Sequence, residues 1–552
     1  MIHGRTSKAI SLIAFLFFSA TTFAANAPAV PGQFVVKIKQ GKLPLAAPGY
    51  NKILGGTVKQ TISQDLRLVL VERPVVEQSE FSVQALSKNS IVEYAEPNFI
   101  YKAISGSPNL PNDPELGKLW GLINTGQNTT GDMGDITGKP GFDIGAQEAW
   151  MVETGSQDIL VAVIDTGVNH RNLDLMDNMY TNMAELNGKA GVDDDNNGYV
   201  DDVHGYDFAN KDGDAMDDYG HGTHVSGTIG AIGNNGSGVV GVAWNVKILP
   251  IKFLAANGSG TLADAVAAIE YGIKMGAKIM NNSWGGGEFT QSLYDVIAKA
   301  RDANILFVAA AGNESNNNDT NPAYPASYQI ENVVSVAAMN PDGTMASFSN
   351  FGTNSVHLGA PGSNILSYGL NGIEAMSGTS MACPHVVGVA ALLWSQNINQ
   401  SFQTIKDRMI SGSRPFASLR GRVASGGMVN TFYGLTDQKA PQDPNDPYTW
   451  SRHKQSDQVA TAHPYSENAN QTWTMTVPGA TRVSVVFSQF DTEGGYDFVE
   501  VSDANGKSFG KMSGNLGQAF SPVVEGDTVI LTFTSDKDTN RFGFEVESIA
   551  FQ

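Results

Sequence analysis

Short apolar runs alternate with helix-like stretches between about residues 107 and 435 of this 552-residue chain. The runs that predict buried strands are 159–164, 246–253, 278–280, 305–310 and 333–338. Between two of them, residues 261–275 carry Leu262, Ala265, Val266, Ile269 and Ile273 at helical spacing. Buried strands that alternate with amphipathic helices form a parallel sheet flanked by helices on both faces. The sequence therefore predicts an α/β domain whose ligands bind at the carboxyl ends of the strands.

Three polar side chains lie in local patterns that make chemical sense together. Asp165 ends an apolar run in Asp-Thr-Gly, His221 lies in Gly-His-Gly-Thr-His, and Ser380 lies in Gly-Thr-Ser-Met-Ala at a helix start. A serine becomes a nucleophile when a histidine takes its proton, and a buried carboxylate orients that histidine. Alone, an Asp after a strand or a Gly-His-Gly is more often structural, whereas Gly-Thr-Ser-Met-Ala is specific.

In the chain order Asp, His, Ser, these motifs resemble the subtilisin-like serine proteases, the subtilase family. The resemblance implies that Asp165, His221 and Ser380 form the catalytic triad of an endopeptidase. Residues 309–314, Ala-Ala-Ala-Gly-Asn-Glu, resemble the segment whose asparagine stabilises the oxyanion. Asn313 is therefore predicted to share the oxyanion hole with the backbone N–H of Ser380.

The resemblance also implies a substrate cleft. Residues 281–286, Asn-Asn-Ser-Trp-Gly-Gly, resemble one wall of the primary pocket, 258–260 the opposing edge strand, and 323–326 the pocket floor. Main-chain hydrogen bonds would hold an extended peptide there, as in strand addition. No acidic residue stands out at the floor, so we expect a preference for large apolar residues before the cleaved bond. The substrate-binding residues assigned in this way are Ser283, Trp284, Gly285, Gly258, Ser259, Gly260 and Ala323.

Residues 193–198, Asp-Asp-Asp-Asn-Asn-Gly, have the spacing of a calcium loop, with oxygen donors on alternate residues before a glycine turn. The twelfth position is His204 and not a glutamate, so the helix-flanked form is incomplete and a solvated acidic loop is the alternative. The predicted ligands are Asp193, Asp195 and Asn197, with Asp201 or Asp202, of which Asp202 is preferred.

A second calcium site follows from the family resemblance alone. Residues 112–114 resemble a segment that donates a carboxylate, Asp174 matches a second carboxylate, and 232–239 resemble a loop that donates carbonyls and one side-chain oxygen. Asn235 is the better side-chain candidate in that loop, and Asn234 is the alternative. The implied ligands are Asp113, Asp174, Ile232, Asn235, Ser237 and Val239.

Composition and the first residues favour a secreted protein that binds cations. The net charge of −20 argues against nucleic acid as a partner, although a solvated acidic surface explains it equally well. Residues 1–27 have the positive start, short apolar core and small residues of a signal peptide, and no later apolar run is long enough for a membrane span. The single cysteine, Cys383, permits no internal disulfide, so calcium is the expected substitute.

Smaller units flank the predicted α/β domain. Residues 28–106 resemble the inhibitory propeptide of subtilases, with an ordinary α+β domain as the alternative, and 437–447 form a linker with three prolines. Residues 448–552 carry short alternating strands, which predict a β-sandwich. This part resembles a CUB domain without the animal cysteines, in which Glu493, Asp497 and Asp536 would bind calcium. It would bind a surface, a protein or a polysaccharide, or else aid stability or secretion.

The sequence as a whole predicts a secreted, calcium-binding serine endopeptidase made as a zymogen, with its catalytic domain at 107–436. We expect protein and peptide substrates, the propeptide as an intramolecular inhibitor, and a monomer. A processing protease or transpeptidase on the same scaffold is one alternative, which would need acidic pocket residues or a site that excludes water. An adhesion protein with an inactive protease fold is another, and the intact triad and Asn313 argue against it.

Overall fold

The computed structural model describes residues 29–40, 49–73, 83, 85–99, 110–442 and 446–552. The chain divides into two compact units, Met1–Ser107 and Pro108–Gln552. The predicted signal peptide lies outside the described residues. Within those residues, no helix is both long enough and apolar enough to cross a membrane.

The first unit contains an antiparallel sheet. Its strands are β1 (Ala29–Ile38), β2 (Thr57–Ser63), β3 (Leu68–Glu72) and β4 (Val92–Phe99), and a helix spans Tyr50–Leu54. The sheet order is β2-β3-β1-β4, and alternate residues such as Phe34, Val36 and Val69 form its core. The strands predicted at 33–39, 66–71 and 92–98 are present. Of the helix predicted at 81–90, residues 81, 82 and 84 lie outside the described residues, and 85–87 are helical.

A largely parallel sheet forms the centre of the second unit. The strands of residues 110–442 are β5 (Asn128–Gly131), β6 (Gly134–Thr137), β7 (Leu160–Asp165), β8 (Tyr206–Asp207), β9 (Lys247–Lys252), β10 (Ile279–Asn282), β11 (Leu306–Ala310), β12 (Val333–Met339), β13 (Leu358–Pro361), β14 (Ile365–Gly369), β15 (Gly372–Met376), β16 (Arg414–Pro415) and β17 (Gly427–Met428). The central sheet has the order β16-β17-β13-β12-β11-β10-β7-β9-β8, and only the β16–β17 pairing in it is antiparallel among the described strands. The predicted parallel sheet is therefore confirmed.

Helices cover both faces of this sheet. Their bounds are Ala146–Ala149, Met183–Asn187, His221–Gly230, Leu262–Lys274, Gln291–Asp302, Thr379–Ser395, Phe402–Ser411 and Thr431–Thr436. Val161 and Val163 of β7 belong to the core under the helices that carry His221 and Ser380. Ala162 and Ile164, which alternate with them, belong to the core on the opposite face. Because successive residues of a strand point to opposite faces, one apolar run serves both cores.

Residues 446–552 form a β-sandwich, as the alternating pattern predicts. Its strands are β18 (Ser451–His453), β19 (Asn470–Thr476), β20 (Arg482–Asp491), β21 (Phe498–Asp503), β22 (Ser508–Met512), β23 (Ala519–Phe520), β24 (Val524–Glu525), β25 (Thr528–Thr534) and β26 (Gly543–Phe551). One sheet has the order β18-β26-β20-β23, and the other has the order β19-β25-β21-β22. Phe487, Phe533 and Phe544 are fully buried in the core that the two sheets enclose.

Candidate active site

Asp165 and His221 meet at the carboxyl end of β7. Asp165 is the last residue of that strand, and His221 is the first residue of the helix His221–Gly230. The helix begins after Gly220, whose φ of +102° lies in the left-handed region that favours glycine. His221 Nδ1 lies 2.8 Å from Asp165 Oδ1, and Asp165 is fully buried. This is the arrangement that orients an imidazole as a base.

The charge around His221 favours its protonated form. Burial lowers the pKa of His221, but the charge and hydrogen bond of Asp165 and the charge of Asp217 outweigh burial, and the pKa lies above its ordinary value. A base with a raised pKa is a stronger proton acceptor, although it is deprotonated only at a higher pH.

Ser380 is the second residue of the helix Thr379–Ser395 and lines a pocket beside it. Its Oγ donates a hydrogen bond to the carbonyl oxygen of Ser283, at 2.9 Å, and Ser283 Oγ donates to the carbonyl oxygen of Ser380, at 2.8 Å. Among the hydrogen bonds of the described residues, none joins Ser380 to His221. Catalytic hydrogen bonds often tighten only when substrate binds, so the missing bond does not argue against a triad.

Asn313 and the backbone nitrogen of Ser380 border the same space. Asn313 Oδ1 accepts hydrogen bonds from the N–H and the hydroxyl of Thr379, both at 2.9 Å, which fixes the amide orientation. A Cβ atom placed on Gly378 would lie 3.4 Å from Asn313 Nδ2 and 3.5 Å from the Ser380 nitrogen. Both nitrogens therefore lie close to Gly378, and both residues line one pocket, as two oxyanion donors would have to.

Two depressions flank the segment that contains Ser283, Trp284 and Gly285. A groove of about 570 Å³ is lined by that segment, by His221 and by the 258–260 loop, which carries Gly258, Ser259 and Gly260. A pocket of about 350 Å³ is lined by Ala323, Ser380, Asn313 and Trp284 among others. Every residue assigned to substrate binding thus lines one of these two depressions, and Ser380 lines the pocket that contains Ala323.

Glu314 also lines this pocket, outside the floor predicted at residues 323–326. Its Oε2 accepts a hydrogen bond from Asn350 Nδ2 at 2.8 Å, and Asn350 Oδ1 accepts from the Glu314 nitrogen. Glu314 follows Asn313 directly in the sequence, but sequence alone does not say whether a loop side chain turns toward a pocket. The pocket therefore combines apolar surface with one carboxylate.

Cys383 and His224 lie near the triad but are buried and electrically neutral. Burial raises the pKa of the Cys383 thiol to about 12, so the thiol is not a nucleophile near neutral pH. Burial lowers the pKa of His224 to about 3, and its Nε2 lies 2.9 Å from the carbonyl oxygen of Ile365. Neither side chain is therefore charged near neutral pH.

Two carboxylates of the predicted calcium loop lie close together, and a third from outside the loop joins them. Ligand atoms of Glu185, Asp195 and Asp202 lie within 4.8 Å of one another. Asp193 instead accepts hydrogen bonds from the backbone of Asn197 and Gly198. The Asn197 amide nitrogen faces Asp195 and Asp202, so its oxygen points elsewhere. Glu185 lies in the helix Met183–Asn187, outside the loop motif, and only the fold reveals it.

The site implied at Asp113 and Asp174 also has the character of a cation site. Both carboxylates are buried, and burial raises the pKa of each. Asp113 Oδ1 has no hydrogen-bond partner among the described residues, which fits an oxygen that would bind a metal. Asn235 donates its amide nitrogen to Asp174 Oδ1 at 2.5 Å, and its oxygen accepts from the Ser237 nitrogen. The Asn235 amide would have to turn over to serve as an oxygen ligand.

The loop from Ile232 to Val239 contributes backbone groups beside these two acids. The Ile232 nitrogen donates to the carbonyl oxygen of Asp174, and the Val239 nitrogen donates to Asp174 Oδ2. The loop therefore lies against Asp174, as the family resemblance implies.

In the β-sandwich, Glu493, Asp497 and Asp536 converge with ligand atoms within 4.8 Å of one another. Asp497 is fully buried, and its Oδ1 accepts a hydrogen bond from the Asp536 nitrogen at 2.8 Å. The Tyr465 hydroxyl donates to Asp497 Oδ2, and burial together with this bond raises the pKa of Tyr465 to about 12. Hard oxygen atoms in such a group suit calcium.

Comparison with known families agrees with the fold and the cleft. Residues 156–436 match the subtilase family, residues 19–98 match the fervidolysin N-terminal prodomain, and residues 449–547 match the CUB domain. The chain belongs to the subtilase family. It is a serine protease with an N-terminal prodomain and a C-terminal CUB domain, as the motifs predict.

Curated relatives support this assignment. The chain is 38% identical over 364 residues to a thermophilic serine proteinase of Bacillus sp. strain AK1, a match that covers 65% of this chain and 76% of that protein. It is 36% identical over 320 residues to subtilisin-like protease 1 of Plasmodium vivax, covering 53% of this chain and 50% of that protein. It is 35% identical over 325 residues to a cell wall-associated protease of Bacillus subtilis, covering 59% of this chain and 32% of that protein.

Proposed function

We propose that the chain is a secreted, calcium-binding serine endopeptidase, and that Ser380, His221, Asp165 and Asn313 perform its chemistry. The observation that carries the assignment is the 2.8 Å contact between His221 Nδ1 and the buried Asp165, beside a cleft lined by Ser380. The prodomain supports synthesis as a zymogen. The cell-wall association of one relative supports action outside the cell.

The residues suggest an ordinary acyl-transfer sequence. His221 takes the proton of Ser380 Oγ as that oxygen attacks the peptide carbonyl, and Asp165 holds the imidazole in the correct tautomer. Asn313 Nδ2 and the Ser380 N–H bind the oxygen that becomes negative. His221 then protonates the leaving amine, and water hydrolyses the acyl-enzyme by the reverse sequence.

We propose that the pocket accepts large apolar side chains before the cleaved bond. Its volume of about 350 Å³ and the small side chain of Ala323 leave room for them. Glu314 at its lining would also tolerate a basic residue at that position. Cleavage of a mixed peptide library tests this assignment. A dominant requirement for acidic residues would contradict it, and a strict requirement for Arg or Lys would favour the processing protease instead.

A fluorophosphonate probe tests the nucleophile directly. The mature protein should be labelled at Ser380 and lose activity in proportion to labelling. A folded protein that is neither labelled nor active on any peptide would instead be the adhesion protein with an inactive fold.

We also propose that calcium stabilises the mature enzyme. The three oxygen groups around Asp202, Asp174 and Asp497 would hold calcium, which neutralises buried or clustered carboxylates and cross-links loops. Among the ion pairs of the described residues, none joins a Lys, Arg or His side chain to Asp202, Asp174 or Asp497. In a chain with one cysteine, such cross-links take the place of disulfides.

Chelation is expected to lower the melting temperature and to speed autolysis. A ligand that binds only the folded state at 100 times its Kd contributes about 2.7 kcal/mol, which removal of calcium would forfeit. The measurement is calorimetry of the Ser380→Ala variant with calcium and with a chelator, because this variant cannot digest itself. Asp202→Asn, Asp174→Asn and Asp497→Asn test the three groups separately. A melting temperature that does not change after exhaustive chelation would rule out a stabilising metal.

We propose that the CUB domain directs the enzyme to large substrates and takes no part in peptide-bond hydrolysis. All the proposed catalytic residues precede residue 437, so truncation after Leu435 should leave kcat/KM on a short peptide unchanged. Activity on a large insoluble substrate should fall, because the effective concentration that the domain supplies is lost. Loss of activity on short peptides by a folded, probe-labelled truncated enzyme would contradict this separation.

Contacts of the catalytic domain with the predicted linker and with the sandwich add a stability cost to that truncation. Arg420 pairs with Asp446, and Arg422 donates to the carbonyl oxygen of Asn515 at 2.9 Å. The full-length Asp497→Asn variant is the matched control, since it keeps these contacts and changes only the sandwich. Equal activity of both variants and the parent on every macromolecular substrate would leave the domain a folding or secretion role.

A further inference from the structure

Asp217 is a second buried carboxylate on the segment that leads to His221. Its Oδ1 accepts hydrogen bonds from the Thr166 hydroxyl at 2.9 Å, the Tyr219 nitrogen at 3.0 Å and the Gly220 nitrogen at 2.9 Å. Its Oδ2 accepts from the Thr223 nitrogen at 2.9 Å and the Thr223 hydroxyl at 2.6 Å. The side chain is only 6% exposed.

These bonds suit a carboxylate at Asp217. Both of its oxygens accept hydrogen bonds, three on Oδ1 and two on Oδ2. Among the described ion pairs and hydrogen bonds, no Lys, Arg or His side chain contacts it. The carboxylate is therefore stabilised by neutral donors, and its charge is not cancelled by a contacting cation.

The five donors connect Asp217 to both sides of the Asp165–His221 pair. Thr166 follows Asp165, and its hydroxyl donates to Asp217 while accepting a hydrogen bond from the Gly222 nitrogen at 2.9 Å. Gly220 and Gly222 flank His221 in the sequence. Removing Asp217 would thus release the backbone on both sides of the imidazole and one link to the strand that carries Asp165.

The other groups near His221 carry less uncompensated charge. On the neighbouring strand, Lys252 Nζ donates to the carbonyl oxygens of Thr166 and Leu254 and to Asp218 Oδ1, and Asp218 is 44% exposed. On the His221 helix, His224 is neutral because burial lowers its pKa to about 3. On the Ser380 helix, burial raises the pKa of the Cys383 thiol and lowers the pKa of His385, so both side chains are neutral.

We propose that Asp217 is a positioning residue for the hydrolytic reaction, which fixes the backbone around His221 and stabilises the imidazolium by its charge. This inference rests on the proposed roles of Asp165, His221 and Ser380. The raised pKa of His221, to which the charge of Asp217 contributes alongside that of Asp165, agrees with it.

The test is the pH dependence of kcat/KM for Asp217→Asn on a short chromogenic peptide. His221 acts as a base only when neutral, so activity falls on the acid side as His221 becomes protonated. Removal of the Asp217 charge disfavours the imidazolium, so the acid limb should move to lower pH by about half a unit or more. The plateau of kcat should fall by about tenfold or more, because the His221 backbone is no longer held.

Two matched variants separate charge from hydrogen bonding. Thr223→Ala removes one hydroxyl donor but keeps the carboxylate, so kcat should fall without a shift of the acid limb. Asp218→Asn makes the same change of charge at the exposed neighbouring residue, and 1 M salt should abolish any shift that it causes. The shift of Asp217→Asn should persist in 1 M salt, because a buried charge is screened less.

Active-site titration with a fluorophosphonate corrects each rate for the folded fraction. An acid limb that does not move in Asp217→Asn, or that moves only as far as in Thr223→Ala, would overturn the charge role. If Asp217→Asn does not fold, Thr166→Val tests the link to the catalytic strand, and an unchanged kcat in that variant would overturn the positioning role. A parent enzyme that the probe does not label would refute the proposed function instead, so the two failures are distinguishable.

Discussion

Replacement of Ser380 by alanine is expected to abolish proteolysis and leave the fold intact. The Oγ is the only heavy atom that the substitution removes, and its one hydrogen bond within the described part of the chain goes to the carbonyl oxygen of Ser283. In subtilisin, loss of the nucleophile lowers kcat by about 2 × 10⁶. Hydrolysis of a short peptide and fluorophosphonate labelling should therefore both disappear, while the melting temperature stays near that of the parent.

Cys383 provides the control for this experiment. It lies on the same helix as Ser380, is fully buried, and has a thiol whose pKa burial raises to about 12. Cys383→Ala should keep its activity and its label, with a small loss of stability from the cavity. If activity depended on Cys383 and not on Ser380, the assignment of Ser380 as the nucleophile would be wrong.

The Ser380→Ala variant also tests how the enzyme matures. If the enzyme removes its own prodomain, Ser380→Ala should retain it when produced in a host that lacks other proteases. Electrophoresis and mass spectrometry of the secreted product would measure this. Normal release of the prodomain would disprove self-processing, although it would leave the catalytic role of Ser380 untouched.

Short sequence patterns were enough to predict the strand that ends at Asp165 and the helix starts that carry His221 and Ser380. The apolar run before Asp165 predicts a buried strand because its residues face both cores, and the structure has β7 there. Gly220 and Gly378 mark tight turns before helices, so the positions of His221 and Ser380 at helix starts follow from a few neighbours. Motifs of this kind need no knowledge of the remote chain.

Long-range contacts account for what the sequence did not reveal. Glu185 joins Asp195 and Asp202 because a helix outside the loop motif folds against the loop, and no spacing rule reports that approach. Glu314 lines the pocket because Asn350, which is remote in sequence, accepts from its nitrogen and donates to its carboxylate. Sequence spacing predicts neighbours along an element but gives little information on which loops meet.

Asp217 illustrates the same limit within a few residues of a motif. An Asp four residues before His221 is unremarkable in an acidic chain, since a solvated surface is the usual place for it. Only the folded chain brings Thr166 across to it and buries it under five donors. Burial, and not the residue type, turns an ordinary carboxylate into one that can act on a neighbouring imidazole.

Replacement of Asn313 by alanine is expected to lower kcat by about 10²–10³ with little effect on KM, the magnitude known for the equivalent amide donor in subtilisin. Its Nδ2 lies near Gly378, as the Ser380 nitrogen does, so we expect this donor to serve an oxygen that becomes negative only during the reaction. Steady-state kinetics on a short peptide measures both constants. Thr379→Ala is the graded control, because it removes the hydroxyl bond to Asn313 Oδ1 but keeps the backbone bond. Its loss of kcat should be smaller. A change confined to KM in Asn313→Ala would mean that the amide binds the ground state, and the oxyanion role would then be wrong.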